Sequence, residues 1–106
     1  MSTTRILVVE DDPDGRQSVT DALEDLGYEV TAVEKGAEGV DAAGRESFDA
    51  VLCDLVLPDI DGVEVLRRLR ARDEKLPVMI MTAHGTVSTA VEALKAGADF
   101  AKLVGV

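Results

Sequence analysis

The sequence predicts an α/β domain built on an open parallel sheet of five strands, and three observations predict it. Short apolar runs alternate with segments of helical periodicity, the signature of βαβ units. The run Val78-Met79-Ile80-Met81 is apolar at every position, as suits a strand buried on both faces. Three runs also end in acids or a hydroxyl: Ile6-Leu7-Val8-Val9 in Glu10-Asp11-Asp12, Ala50-Val51-Leu52-Cys53 in Asp54, and Val78 to Met81 in Thr82-Ala83. In an open parallel sheet every strand points its C-terminal end at one crevice, which is where ligands bind.

The first strand is Ile6 to Val9. The first helix places Val19, Ala22, Leu23 and Leu26 on one face, and Gly27 ends it in the left-handed conformation. Glu29 to Val33 alternates like a half-exposed edge strand. A second helix, Ala37 to Arg45, is rich in Ala and Gly and has a weak apolar face. The third strand is Ala50 to Cys53, and the third helix runs from about Val63 to Arg72, burying Val65, Leu66 and Leu69. The fourth strand follows Pro77. A fourth helix carries Val87, Ala90, Val91 and Leu94 and stops at Gly97, and the fifth strand lies near Phe100 to Val104. No linker or repeat interrupts this pattern, so residues 1–106 read as one domain.

Composition narrows the function. A formal net charge of −10 argues against direct nucleic-acid binding, which needs a basic face, and suits protein or cation partners. Aliphatic residues carry the core, since there are two Phe, one Tyr and no Trp. The single Cys53 excludes an internal disulfide and packs in the sheet. The polar start Met1-Ser2-Thr3-Thr4-Arg5 is no signal peptide, and no apolar run reaches membrane-spanning length, so the expected location is cytoplasmic.

Asp54 alone could be a turn or helix cap. Beside Glu10, Asp11 and Asp12 that reading weakens, because gathered carboxylates raise one another's pKa unless a cation neutralises them. Carboxylates, a backbone carbonyl and waters suit Mg2+ and leave room for phosphate oxygens. A metal-neighboured Asp can then act as nucleophile toward a phosphoryl group. The charge on the transferring group calls for further donors, for which Thr82 offers a hydroxyl and Lys102 an ammonium.

These residues resemble the receiver domain of two-component response regulators. The resemblance runs from residue 5 to about residue 98 and is carried by ILVVEDD, VLCDLVLPDIDG and VMIMTAHGTVSTAVEALKAGA. It implies a doubly wound, flavodoxin-like sheet of order 2-1-3-4-5 and a signalling switch that controls a transcriptional or other output. It implies that a sensor histidine kinase phosphorylates Asp54, a self-catalysed acceptance rather than enzymatic turnover. Mg2+ would be held by Asp11, Asp54 and the backbone carbonyl of Val56, with Glu10 assisting through water. Thr82, Ala83 and Lys102 take the phosphate-contacting and switch positions, and Phe100 takes the aromatic switch position. Asp12 flanks the acidic pair, with a helix cap and a metal ligand both open.

The run TAHGTVSTAVEALKAGA is most similar to receivers of the nitrogen-regulatory activators that work with the alternative sigma factor. At the C-terminal end the pattern departs. Lys102 follows Gly97 more closely than the family's Lys does, Leu103 stands in place of the usual Pro, and no fifth helix follows Val106. The expectation is a receiver truncated before that helix, whose uncovered apolar strip drives a symmetric homodimer. The alternative is a receiver-like docking module without phosphoryl turnover.

Other matches carry less. Glu10-x-Asp12-x-Asp14-Gly15 with Asp21 imitates an EF-hand loop, but it follows a strand and begins on Glu. A nucleotide binder of this fold needs a Gly-rich phosphate cradle where the acids stand. An Asp-dependent phosphatase needs a second acid where Val56 stands. His84 is a lone loop His without a visible nucleophile partner.

Overall fold

A computed structural model describes residues 3–82 and 100–103. The elements are β1 (Arg5–Val9), α1 (Pro13–Asp25), β2 (Glu29–Val33), α2 (Gly36–Arg45), β3 (Ala50–Asp54), α3 (Gly62–Arg72), β4 (Val78–Thr82) and β5 (Phe100–Leu103). All five strands are parallel in the order β2-β1-β3-β4-β5, which is the expected topology. The expected fourth helix lies outside the described residues. Among those that are described, no helix is long and apolar enough to cross a membrane.

Register decides the core. Val9 stands beside Cys53, which stands beside Ile80, and Leu7 aligns with Val51 and Val78. These six side chains are each at most 1% exposed and share one cluster with Val65, Leu66 and Leu69 of α3 and Val40 of α2. Period-two alternation sends them all to the same face, where two helices cover them. Cys53 is buried there as expected, and burial pushes its thiol pKa up.

The first helix is covered only in part. Val19 and Leu23 of its apolar stripe are half-buried, no residue of α1 is fully buried, and Leu26 caps the helix end 70% exposed. Helical spacing marks an apolar side but cannot tell how much of it neighbours will cover. The stop signal does hold. Gly27 has φ 91°, its N–H donates to the Glu24 carbonyl, and the Tyr28 N–H donates to the Leu23 carbonyl. That pair of bonds is a Schellman cap, which needs a residue free of Cβ strain at positive φ.

Candidate functional site

β1 and β3 lie side by side, so the residues reached at their C-terminal ends emerge together. Glu10 leaves β1 with its N–H still bonded to the Val33 carbonyl at 3.0 Å, and Asp54 is the last residue of β3. The result is a cluster of Glu10, Asp11 and Asp54, each offering a carboxylate oxygen within 4.8 Å of the others. Asp54 is buried, Glu10 half-buried and Asp11 exposed, so the cluster opens to solvent on the Asp11 side.

Local bonds fix each acid. The Val56 N–H donates to Asp54 Oδ1 at 3.1 Å, which turns the chain just after the strand. The Leu55 N–H donates to the Met81 carbonyl at 3.2 Å, and the Gly62 N–H to the Leu55 carbonyl at 2.7 Å. α3 therefore starts directly against Asp54. A Cβ at Gly62 would stand 2.5 Å from the Asp54 carbonyl oxygen, so this approach requires glycine. Asp61 caps α3 by accepting from the Glu64 N–H at 2.8 Å. Asp12 resolves as a helix cap: its carboxylate accepts from the Gly15 N–H at 2.8 Å, with Pro13 at the first helical position. Because α1 begins at Pro13, the residues of the EF-hand imitation from Asp14 onward are helical and form no ion-binding loop.

Electrostatics supports a cation. Glu10 is pushed up to about 8, first by burial, then by its hydrogen bond to Asp54 and the charge of that neighbour. Two carboxylates held this close favour a proton in the absence of metal, and a divalent ion in the same place would neutralise both. An all-oxygen donor set of acids and main-chain carbonyls is the kind hard cations such as Mg2+ choose. The residues fit the ion.

The remaining predicted positions divide. Thr82 ends β4, and Ala83 and His84 lie outside the described residues. Asp54 pairs in register with Met81 and Met81 with Lys102, which places Lys102 on the same row of the sheet two strands from Asp54. Phe100 stands opposite Met79, at the start of β5. Sequence reasoning missed Arg16, whose guanidinium donates to the Glu10 carbonyl at 2.9 Å and the Asp11 carbonyl at 3.3 Å. It also missed Asp59, which accepts from the Gly36 and Ala37 N–H groups at the start of α2. Neither contact leaves a mark in local spacing, whereas Asp61 could have been read from Asp-x-x-Glu before a helix.

Comparison with known proteins gives the family and the fold. A family model described as response regulator receiver domain matches residues 6–101. Response regulator MprA of Mycobacterium sp. (strain KMS) is 42% identical over 95 residues, covering 90% of this chain and 41% of that protein. The transcriptional activator protein PfeR of Pseudomonas aeruginosa is also 42% identical over 95 residues, covering 90% of this chain and 31% of its own length. The chain thus spans less than half of these relatives. A response regulator receiver domain protein from Methanospirillum hungatei superposes with a TM-score of 0.93 at 32% identity, over 99% of this chain and 84% of that one. A receiver domain protein from Clostridium thermocellum gives 0.88 at 30%, over 97% and 83%. Likeness to nitrogen-regulatory receivers is not supported, since a match over one loop and helix weighs little against such relatives. By family match and by fold, the chain belongs to the response regulator receiver domains.

Proposed function

We propose that this domain is a phosphorylation-controlled switch in which Asp54 accepts a phosphoryl group from a sensor histidine kinase in a Mg2+-dependent reaction. The observation that carries the reading is the convergence of Glu10, Asp11 and Asp54 within 4.8 Å at the C-terminal sheet edge. In the transfer, an Asp54 carboxylate oxygen forms a bond to phosphorus as the P–N bond of the phosphohistidine breaks. The bonding pair returns to the imidazole. When bound, Mg2+ would neutralise charge on the transferring oxygens. Asp11, Asp54 and the Val56 carbonyl would hold it, with Glu10 acting through water.

The Val56 N–H fixes Asp54 Oδ1, which supports the other carboxylate oxygen, Oδ2, as the nucleophile. Thr82 and Lys102 are proposed to contact the new phosphoryl group, with Ala83 moving in the switch and Phe100 as its aromatic reporter. An output domain or protein partner, such as the transcriptional regulator that PfeR's name indicates, would read the change in the cytoplasm. Incubation with acetyl phosphate and Mg2+ should add one phosphoryl mass, labile to hydroxylamine, and Asp54→Asn should not gain it. No labelling of the parent protein would favour a docking module without phosphoryl turnover.

A further inference from the structure

Arg16 sits among the acids of the site and, among the described residues, bonds their main-chain carbonyls rather than their carboxylates. It is the fourth residue of α1, and its backbone N–H makes the helix's first bond, to the Asp12 carbonyl at 2.8 Å. Helical side chains lean toward the N-terminus, so this one reaches back over the loop that precedes the helix. There one guanidinium nitrogen donates to the Glu10 carbonyl at 2.9 Å and to the Asp11 carbonyl at 3.3 Å. Among the described residues Arg16 makes no ion pair, although Glu10, Asp11, Asp12 and Asp14 lie close in the chain. Its charge is spent on main-chain oxygens.

We propose that Arg16 is a positioning residue that aims the Glu10 and Asp11 carboxylates at the metal position beside Asp54. The inference rests on the reading of that position given above. Two carbonyls gripped by one planar group fix the two peptide planes that flank Asp11. With those planes fixed, the side chains leave the loop in set directions, and the Glu10 and Asp11 oxygens converge on Asp54. Because the guanidinium takes carbonyls, the carboxylates keep their lone pairs for a cation. A cation beside a cation site has an obvious cost, since like charges repel. The orientation it supplies must therefore outweigh that repulsion, and the sign of a mutation's effect separates the two.

The test is a Mg2+ titration followed by the amide chemical shifts of Asp11, Asp54 and Val56, on the parent chain, Arg16→Gln and Arg16→Lys. Urea midpoints without metal are measured alongside. Residues that orient metal ligands typically contribute about tenfold or more to affinity. Arg16→Gln should weaken Mg2+ about tenfold while remaining folded without metal. Arg16→Lys keeps the charge but carries it on a shorter, more strongly hydrated head that reaches both carbonyls less well, and should weaken Mg2+ several-fold. If Arg16 acts only as a nearby positive charge, its removal in Arg16→Gln will tighten Mg2+ binding, and that result, or no change, overturns the proposal. Should Arg16→Gln fail to fold, unchanged binding in Arg16→Lys overturns it equally. A parent chain that binds no Mg2+ at millimolar levels overturns the metal reading itself and this proposal with it. A parent that binds while the variants bind as well removes only the role of Arg16.

Discussion

Asp59 Oδ1 accepts a hydrogen bond from the Gly36 N–H at 2.8 Å, and its Oδ2 accepts from the next amide at 2.9 Å. The loop that follows the candidate phosphoacceptor thereby caps a helix from a distant part of the chain. Lys35, at the N-cap position of α2, cannot do so, because an ammonium has no lone pair to accept a helix amide. A carboxylate on the free amides of a helix start is favoured by hydrogen bonding and by the helix dipole.

This contact sets an acid-dependent prediction. Asp59 is lowered to about 2, chiefly by the Ala37 N–H, against the opposing effect of desolvation and with further help from the Ile60 and Gly36 amides. A depressed carboxyl stabilises the fold above its unfolded pKa of about 4 and loses that contribution as pH falls toward 2. Because Asp59 is exposed, Asp59→Ala should cost only about 1 kcal/mol at pH 7 in urea unfolding. The gap to the parent should narrow between pH 4 and pH 2. A constant gap would show that the charge plays no part.

Glu10 predicts the opposite sign. With its folded pKa raised to about 8, the metal-free fold holds a proton that the unfolded chain releases, so stability falls as pH rises from about 4.5 to 8. Mg2+ should take that proton's place. Its stabilising effect, about 1.4 kcal/mol at ten times Kd, should come at lower Mg2+ concentration at pH 8 than at pH 6. Asp11→Ala should remove most of the shift in melting temperature. Stability indifferent to Mg2+ in the parent would sink the acidic-edge reading.

Gly62→Ala tests the close approach of α3 to Asp54. The added methyl would meet the Asp54 carbonyl oxygen at 2.5 Å and the Leu55 Cα at 2.7 Å, both backbone atoms that move only with the loop. A loss of about 1–3 kcal/mol is expected, as for overpacked sites, together with slower phosphoryl acceptance from acetyl phosphate. An unchanged urea midpoint would mean that the loop yields freely.

Leu66→Ala tests the core between α3 and the sheet. Leu66 is fully buried, and its truncation should cost about 2–5 kcal/mol through lost burial and the cavity left behind. Calorimetric unfolding gives the number. A loss below 1 kcal/mol would show that α3 resettles into the gap.

The sequence by itself determined the strands, their ends and the chemistry they deliver. Val9 followed by Glu10 and Cys53 followed by Asp54 are local facts, and a parallel sheet brings such ends to one edge whatever surrounds it. The Gly27 stop was equally legible, because glycine alone takes a positive φ without Cβ strain and Gly27 directly follows the last apolar position of the helical period. Tertiary structure decided what depends on who packs against whom. Two helices bury Leu7, Val9, Val51, Cys53, Val78 and Ile80 on the α3 face of the sheet, whereas α1 buries none of its residues despite a regular apolar stripe. Asp12 proved to be a cap once the direction of α1 was set by its neighbours. Arg16 and Asp59 acquired their partners only when the fold placed unpaired backbone groups within reach of them. Hydrophobic period and turn chemistry act over a few residues, but a buried carbonyl or a bare helix end takes whichever donor or acceptor folding brings near it.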